Sequence, residues 1–347
     1  MIKTGRSKLF FFNLETDLDS KVLASGHSWI SEFSKHFEEV VVVSTHIGRT
    51  DLPGNVRLVS LGGGSALSKC IAILKLQKIL ISIIRIKDTS CVFYHMSAYS
   101  AFVLGPAIKL FKIPQIMWYS HSKANLISKL AMFWVNKVYS TTPNSSPYKS
   151  KKLRTGQHGI DPTNFQNFEK IQHRKRIISS VGRIVPIKNL EKLIESTAGI
   201  ENLSLIFVGP APNFEYKNFL LNLANESDVD LAILPPVPYE EINRIYKKTS
   251  IYYTGTPESI DKAAIEAAMS GCFVVSNNSA LKEVVGMDKI YEQLGNLKLN
   301  TLRAEIDFLI NKLPENEDFL RRKISLIARE RNGLSILVSK IVDELKY

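Results

Sequence analysis

Two carboxylates, Glu258 and Glu266, stand eight positions apart in a segment that combines a predicted strand, a polar turn and a helix. Glu258 follows the strand 251–254, and Glu266 lies about one and a half turns into the helix. Free N–H groups and the dipole at a helix start favour an anion such as phosphate. Carboxylates suit hydroxyl groups instead, so the segment indicates a ligand with both phosphate and sugar, as in a nucleotide-sugar. An ordinary solvated position for Glu266 remains the alternative.

A second cluster lies upstream, where Arg183 and Lys188 follow the predicted strand 176–181. Ligands of open α/β sheets bind at the carboxyl ends of the strands, so the two cations can converge on one ligand there. Arginine offers a fork of donors and lysine a point charge, which together can neutralise a departing diphosphate without a metal ion. Ordinary loop charges are the alternative interpretation.

Together these segments resemble the retaining nucleotide-sugar glycosyltransferases of the GT-B fold (glycosyl transferases group 1, family 4 type). The resemblance is strong over residues 155–290 and weaker, though compatible, before them. It rests on five motifs in the family's order, namely 156–165, Val181-Gly182-Arg183 with Lys188, Phe207-Val208-Gly209-Pro210, 236–242, and Glu258 through Val275.

The resemblance implies an α/β protein with two Rossmann-like, doubly wound parallel-sheet domains facing a central cleft. Residues 1–160 would form the acceptor-binding domain and residues 161–330 the nucleotide-sugar-binding domain. The last helix, 331–347, would return to the amino-terminal domain.

The resemblance also implies roles for single residues. Glu258 would hold the donor sugar and Glu266 the ribose, while His121, which follows the predicted strand 115–118, would lie beside the donor sugar. His121 and Glu258 are therefore the expected catalytic residues. The expected donor-binding residues are Gly26, Arg183, Lys188, Gly209, Val237, Asp261, Lys262, Ala263 and Glu266.

One donor-site residue departs from the family pattern. Asp261 replaces a glycine that often follows the first glutamate. A carboxylate there would repel phosphate unless it turned away or accepted sugar hydroxyls, and we expect Lys262 to offset its charge.

Composition excludes several other classes of protein. The chain of 347 residues is 45% hydrophobic and 22% charged, as expected for two globular domains. Cys70, Cys91 and Cys272 are too few and too far apart for a disulfide framework or a zinc site. No signal-peptide core or membrane-spanning segment is predicted, so we expect a cytoplasmic protein. Asp17-Leu18-Asp19 matches the Asp-x-Asp of metal-dependent glycosyltransferases, but its place after the first strand is wrong for that fold, and no metal or other cofactor is expected.

The positive charge lies in the amino half of the chain. Residues 1–160 hold 21 Lys and Arg against 8 Asp and Glu, a net of +13, and the rest has 24 against 25, a net of −1. No nucleic-acid motif accompanies this excess, so no nucleic-acid partner is expected. On the predicted helix 67–87, Lys75, Lys78 and Arg85 share an arc of about 80°. This stripe predicts docking on an anionic membrane at its cytoplasmic face, with an ordinary solvated face as an equal alternative.

The hydrophobic patterns predict alternating strands and helices in both halves, which favours parallel sheets. In the amino half the predicted strands are 8–13, 39–44, 56–61, 91–94, 115–118 and 137–141, and the helices are 28–36, 67–87, 98–111 and 126–136. In the carboxyl half the predicted strands are 176–181, 204–208, 231–234, 251–254 and 272–275, with helices after 302.

The predicted function is transfer of a sugar, of the hexosyl type, from a nucleotide-diphosphate donor to a hydroxyl of a glycan, polysaccharide or lipid-linked glycan. The resemblance adds retention of configuration. The alternatives are a non-catalytic protein of the same fold that binds anionic lipid or nucleic acid, and a nucleotide-sugar epimerase of this fold.

Overall fold

The computed structural model divides the chain into two compact units. The amino-terminal unit is Met1–Gly159 with Leu334–Tyr347, and the carboxyl-terminal unit is Ile160–Gly333. The structure describes residues 7–20, 25–62, 66–121, 125–143, 146, 149–155, 158–165, 176–257, 260–295, 299, 301–311 and 317–346.

The amino-terminal unit contains a parallel sheet of seven strands in the order β3-β2-β1-β4-β5-β6-β7 within its described residues. The strands are β1 Lys8–Thr16, β2 Glu39–Ile47, β3 Val56–Ser60, β4 Ser90–His95, β5 Gln115–Trp118, β6 Lys137–Ser140 and β7 Leu153–Thr155. The helices are α1 Ser25–Ser34, α2 Ala66–Arg85, α3 Ala98–Leu110, α4 Leu126–Trp134 and α13 Leu334–Lys346.

Successive residues of the central strands β1, β2 and β4 point to opposite faces of this sheet, and both faces are covered by helices. For example, Phe10 and Phe12 of β1 pack in a core with α2, α3 and α4, whereas Leu9 and Phe11 pack with α1 and α13. Burial on both faces explains why these strands are runs of apolar residues with little alternation.

The carboxyl-terminal unit contains a parallel sheet in the order β10-β9-β8-β11-β12. The strands are β8 Ile177–Val181, β9 Ser204–Val208, β10 Asp230–Leu234, β11 Ile251–Tyr253 and β12 Phe273–Val275. The helices are α5 Leu190–Thr197, α6 Phe214–Glu226, α7 Tyr239–Lys248, α8 Lys262–Met269, α9 Ser279–Val285, α10 Met287–Gln293, α11 Leu302–Asn311 and α12 Glu317–Asn332. One buried core, drawn from residues between Ile160 and Ala328, joins these elements.

The final helix of the described chain belongs to the amino-terminal unit. Its inward side chains are buried against α1 and the sheet, and they are Leu334, Leu337, Val338, Ile341, Val342 and Leu345. At the outer end of α13, Glu344 accepts hydrogen bonds from Lys137 and Tyr139 of β6.

The fold therefore consists of two Rossmann-like α/β units, each with a parallel sheet, as predicted. Two local differences concern the amino-terminal unit. The short edge strand β7 was not predicted, and α1 begins at Ser25 rather than at 28, which places Gly26 in a helix and not in a loop. None of the helices in the described ranges is long and apolar enough to cross a membrane.

Candidate active site

The carboxyl edge of the five-stranded sheet brings several of the predicted donor-binding residues together. In this sheet the chain winds outward from β8 to β9 and β10 on one side, and to β11 and β12 on the other. The strand order therefore reverses between β8 and β11, and the loops that leave these two neighbours flank a crevice. Doubly wound sheets bind their ligands at this position.

The loop after β8 presents Lys188 at this point. Lys188 ends a short 3-10 helix, Pro186–Lys188, and α5 follows through Asn189, which has a left-handed backbone with φ of 48°. The Lys188 ammonium donates to the Val181 carbonyl at 2.7 Å. It also lies 3.2 Å from a carboxylate oxygen of Asp261, and its side chain is 12% exposed. The ammonium is thus held at the carboxyl end of β8.

Asp261 approaches the same point from the loop after β11. Its Oδ1 accepts the backbone N–H of Ala263 at 3.1 Å and caps α8. Its Oδ2 faces Lys188, and the Tyr252 hydroxyl lies 3.4 Å away. The expected compensation by Lys262 is therefore wrong, since Lys188 is the cation that pairs with Asp261. Moreover, the Ala263 N–H already has an acceptor within its own helix.

Glu266 is buried rather than solvated. It is 3% exposed, and its Oε1 accepts the Tyr239 hydroxyl at 2.8 Å. The Lys262 ammonium lies 3.3 Å from the same oxygen and 4.8 Å from the centre of the Tyr239 ring. Burial, together with the Glu266 carboxylate, raises the pKa of the Tyr239 hydroxyl, so this hydroxyl remains a proton donor.

Three glycines allow the backbone loops to approach one another at this edge. Gly209, after β9, has φ of 142°, and a Cβ there would lie 2.2 Å from the Gly182 carbonyl oxygen. Gly182 has φ of 114°, and a Cβ there would lie 2.9 Å from the Lys188 ammonium. Gly255 donates its N–H to the Lys188 carbonyl at 3.0 Å. Gly209 therefore has a packing role whether or not it contacts a ligand.

Arg183 and Val237 occupy the neighbouring loops. Arg183 is exposed after β8, and within the described part of the chain its guanidinium has no hydrogen-bond or ion-pair partner. Val237 is half-buried before α7, where it packs against the core. Tyr239, two residues later, reaches Glu266, which brings the start of α7 close to α8.

The two expected catalytic residues are placed differently. Glu258 lies outside the described residues. His121 follows β5 in the amino-terminal unit, where it is exposed and its ring centre lies 6.4 Å from that of Tyr119. Gly26 is buried in the first turn of α1, and a Cβ there would lie 2.8 Å from Asn13 Nδ2.

Sequence patterns did not identify a buried polar pair on the neighbouring strands β1 and β4, between which the strand order of the seven-stranded sheet reverses. His95 Nδ1 lies 3.0 Å from Asn13 Oδ1. The His95 ring also stacks on Trp118 with 5.3 Å between centres. The available signal was a polar residue directly after an apolar run in each of the two strands.

Asp17 and Asp19 contact different groups of Arg49. Asp19 pairs with Arg49 at 2.7 Å, whereas Asp17 Oδ1 accepts the backbone N–H groups of Asp19 and Arg49. One ligand atom each from Glu15, Asp17 and His46 lie within 4.8 Å of one another, a grouping that could hold a metal ion and is common at exposed acidic sites without one.

The predicted basic stripe of α2 is present in part. Lys78 and Arg85 are exposed, but Lys75 is half-buried, and its ammonium donates to the Ser60 carbonyl at 2.6 Å.

The geometry defines a class of protein. Two doubly wound parallel-sheet units, one with lysines, carboxylates and a capped helix start at its switch point, are typical of the GT-B fold. The profile of the family described as Glycosyl transferases group 1 matches residues 161–331. The match spans almost the whole carboxyl-terminal unit, and on it that unit belongs to the glycosyl transferases group 1 family. Among curated protein sequences, none matches the chain.

Solved structures share the fold across the whole chain. A glycosyltransferase from Rickettsia africae ESF-5 has a TM-score of 0.68 at 14% identity, covering 98% of this chain and 98% of that one. The Anabaena protein Alr3699/HepE, solved in complex with UDP and glucose, has a TM-score of 0.67 at 13% identity, covering 98% of this chain and 99% of its own. A putative UDP-N-acetylglucosamine 2-epimerase from Listeria monocytogenes has a TM-score of 0.57 at 15% identity, covering 97% of this chain and 95% of that one.

Proposed function

We propose that this chain transfers a hexose from a nucleotide-diphosphate sugar to a hydroxyl acceptor with retention of configuration. The observation that carries the proposal is the convergence of Lys188, Asp261, Lys262 and Glu266 at the switch point of the carboxyl-terminal sheet. The complex of the Anabaena structure with UDP and glucose supports a uridine nucleotide as the donor.

The donor's charged and polar groups match separate parts of this site. Lys188 and Arg183 stabilise the diphosphate as it departs, because both cations lie in the loop that follows the carboxyl end of β8. Glu266 accepts the ribose hydroxyls, and its orientation comes from Tyr239 and Lys262. Val237 and its loop hold the base. Gly26 of α1 is the proposed diphosphate contact of the amino-terminal unit.

By the family resemblance, Glu258 grips the donor sugar and His121 stabilises positive charge that develops on it. The fixed cations supply the charge that a divalent ion would otherwise provide, so we propose metal-independent transfer.

The proposed acceptor is a glycan, a polysaccharide or a lipid-linked glycan. A lipid-linked acceptor would suit peripheral contact between the basic stripe of α2, namely Lys75, Lys78 and Arg85, and an anionic membrane at the cytoplasmic face. Lys75→Glu with Lys78→Glu should then reduce flotation with anionic liposomes, and unchanged flotation would contradict this contact. Since Lys75 is tied to Ser60, most of the effect should come from Lys78.

The donor assignment is tested by melting the full chain with a panel of nucleotide-diphosphate sugars and by following release of the nucleotide by NMR. A donor at about 100 times its Kd should stabilise the chain by about 2.7 kcal/mol, which raises Tm by several degrees. Glu258→Gln should abolish turnover while donor binding persists.

A matched pair of lysine variants locates the site. Lys188→Ala should weaken donor binding at least about tenfold, because one charge-assisted contact is lost. Lys282→Ala also breaks a part-buried ion pair of the same unit, with Glu305 at 2.8 Å, but should leave donor binding unchanged. If no nucleotide-sugar raises Tm and none is turned over, the proposal fails.

Product analysis separates the alternative functions. Interconversion of the donor sugar without an acceptor would indicate an epimerase, in keeping with the Listeria structure. Binding of anionic lipid or nucleic acid without turnover of any donor would indicate a binding protein.

A further inference from the structure

The loop after β8 and the loop after β11 are tied together beside the proposed diphosphate site. Gly255 donates its N–H to the Lys188 carbonyl at 3.0 Å, and the Gly255 carbonyl accepts Asn189 Nδ2 at 2.8 Å. The Tyr253 hydroxyl adds a third contact, because it donates to the Asn189 carbonyl at 3.0 Å. Gly255 is buried, and a Cβ there would lie 2.5 Å from the Lys188 carbonyl oxygen. The two loops are therefore in close contact at this point.

Asn189 differs from an ordinary residue at the start of a helix. It has φ of 48° and ψ of 45°, whereas an N-cap residue usually has an extended backbone. Its side chain makes no capping hydrogen bond within the described residues of α5. Instead, Nδ2 lies 2.8 Å from the Gly255 carbonyl oxygen and 3.5 Å from that of Ile187. Since a carbonyl oxygen can only accept, the Asn189 side chain is the donor that links the two loops.

Lys188 and Asn189 together hold both ends of the segment that contains Glu258. Gly255 lies three positions before Glu258, and Asp261 lies three positions after it. The Gly255 end is held by the Lys188 carbonyl and the Asn189 amide. The Asp261 end is held by the Lys188 ammonium at 3.2 Å. Only the contact at the Asp261 end uses a group that the diphosphate of a donor would also bind.

We propose that Asn189 is a positioning residue for glycosyl transfer, which anchors the Glu258 segment while the diphosphate of the donor occupies the Lys188 ammonium. This inference rests on the proposed function. The diphosphate and Asp261 are both anions, so they compete for the same ammonium. The Asn189 amide is neutral and bonds a carbonyl, so the contact at Gly255 persists when the diphosphate binds. Asn189 acts through this segment and does not touch the donor.

Asparagine combines the two properties that position 189 requires. The left-handed backbone favours glycine and accepts asparagine more readily than most other residues. The bond to the Gly255 carbonyl requires a side-chain donor, which glycine lacks. Asn189→Gly therefore keeps the backbone conformation and removes only the amide.

Asn189→Gly in the full chain tests the anchor through kcat and UDP affinity separately. Turnover is followed as release of UDP from UDP-glucose, UDP-galactose and UDP-N-acetylglucosamine, with water as the acceptor, and the Kd of UDP is measured by calorimetry. Loss of the amide bond should lower kcat about tenfold, while the Kd of UDP changes less than about twofold, because Lys188 and Glu266 are unchanged. A purely structural role would lower Tm without this separation.

Hydrogen exchange gives a second measurement that requires UDP alone. In the chain saturated with UDP, the Gly255 N–H should exchange about tenfold faster in Asn189→Gly than in the wild type, because its loop has lost an anchor. Asn202→Gly is the matched control, since Asn202 also has a left-handed backbone, with φ of 56°, in the same unit. The control should match the wild type in kcat, Kd and exchange.

The inference is overturned if Asn189→Gly releases UDP as fast as Asn202→Gly, or if its Gly255 N–H exchanges at the wild-type rate. It is also overturned if the Kd of UDP rises by the factor by which kcat falls, since Asn189 would then act in donor binding. In these cases turnover by the wild type leaves the proposed glycosyl transfer standing. A wild type that neither binds UDP nor releases it from these sugars would overturn the inference together with the proposed uridine donor.

Discussion

Tyr239 supports the carboxylate that we assign to the ribose. Its hydroxyl donates to Glu266 at 2.8 Å, so Tyr239→Phe should let the buried carboxylate turn toward Lys262. A hydrogen bond to a charged group contributes about 1.5–3 kcal/mol, and we expect roughly tenfold weaker UDP binding by calorimetry. The preference for UDP over 2′-deoxy-UDP should shrink as well, which a purely structural role would not change.

Tyr216→Phe provides the comparison, because Tyr216 donates to Glu191 at 2.6 Å elsewhere in the same unit. It should leave both affinities unchanged. Equal ribose discrimination in Tyr239→Phe and wild type would contradict the assignment of Glu266 to the ribose.

Asp261 places a negative charge beside the proposed diphosphate site. Asp261→Asn retains an oxygen that can cap α8 but removes the charge 3.2 Å from Lys188. We expect UDP to bind about fivefold more tightly, since one unfavourable charge is removed from its surroundings. Asp288→Asn, at the ion pair with Arg331, should have no such effect. Weaker UDP binding in Asp261→Asn would indicate that the carboxylate helps to hold the nucleotide.

The sequence predicted the residues of the site better than their partners. Lys188 and Asp261 are 73 positions apart, and they meet because β8 and β11 pair as neighbours. Residue spacing does not encode that pairing, so the compensating cation was assigned to the adjacent Lys262. No sequence motif indicated a role for Tyr239. Its hydrogen bond to Glu266 forms because α7 begins near α8, and residue spacing does not encode that proximity.

At the scale of elements, the turn after β9 depends on the absence of a side chain. Gly209→Ala would combine an unfavourable φ of 142° with a Cβ placed 2.2 Å from the Gly182 carbonyl oxygen. We expect a loss of about 2–4 kcal/mol in the free energy of unfolding, measured by chemical denaturation.

Gly199→Ala separates the cost of backbone strain from the cost of the steric clash with an added Cβ. Gly199 has φ of 72° but no atom within 4 Å of an added Cβ, so it should lose about 1 kcal/mol from backbone strain alone. Equal losses in the two variants would mean that the close approach at Gly209 relaxes without cost.

The elements that sequence patterns predicted well are the central ones. Strands β1, β2, β4, β9 and β11 contain continuous apolar runs because helices cover both faces. Strand β8 carries two serines between its apolar ends and is buried throughout. Strand β7 escaped prediction because Leu153–Thr155 has one apolar residue and pairs only at the sheet edge, where burial imposes little pattern. The start of α1 was missed because Gly26 suggested a loop, whereas its lack of a side chain makes room for Asn13.

At the scale of the whole molecule, the carboxyl-terminal unit is one continuous stretch with its own core. We expect the fragment 160–333 to unfold cooperatively and to be stabilised by UDP in calorimetry. A fragment without a cooperative transition would show that its core depends on the other unit.

The amino-terminal unit, in contrast, should not fold stably without α13. The helix buries six apolar side chains, which together contribute about 10 kcal/mol. This is comparable to the whole stability of a domain, about 5–15 kcal/mol. A chain ending at 333 should therefore lose the amino-terminal transition and expose that unit to limited proteolysis, while the other transition survives. Two intact transitions would contradict this dependence.

The position of α13 in the sequence also affects the order in which the two units can fold during synthesis. The sheet that begins at Lys8 is covered in part by the helix 334–346, and this helix leaves the ribosome after all the elements that precede it in the sequence. The carboxyl-terminal unit can fold on the nascent chain before that, while part of one face of the amino-terminal sheet stays uncovered until residues 334–346 have emerged. We therefore expect a chaperone to bind the strands of the amino-terminal unit during synthesis.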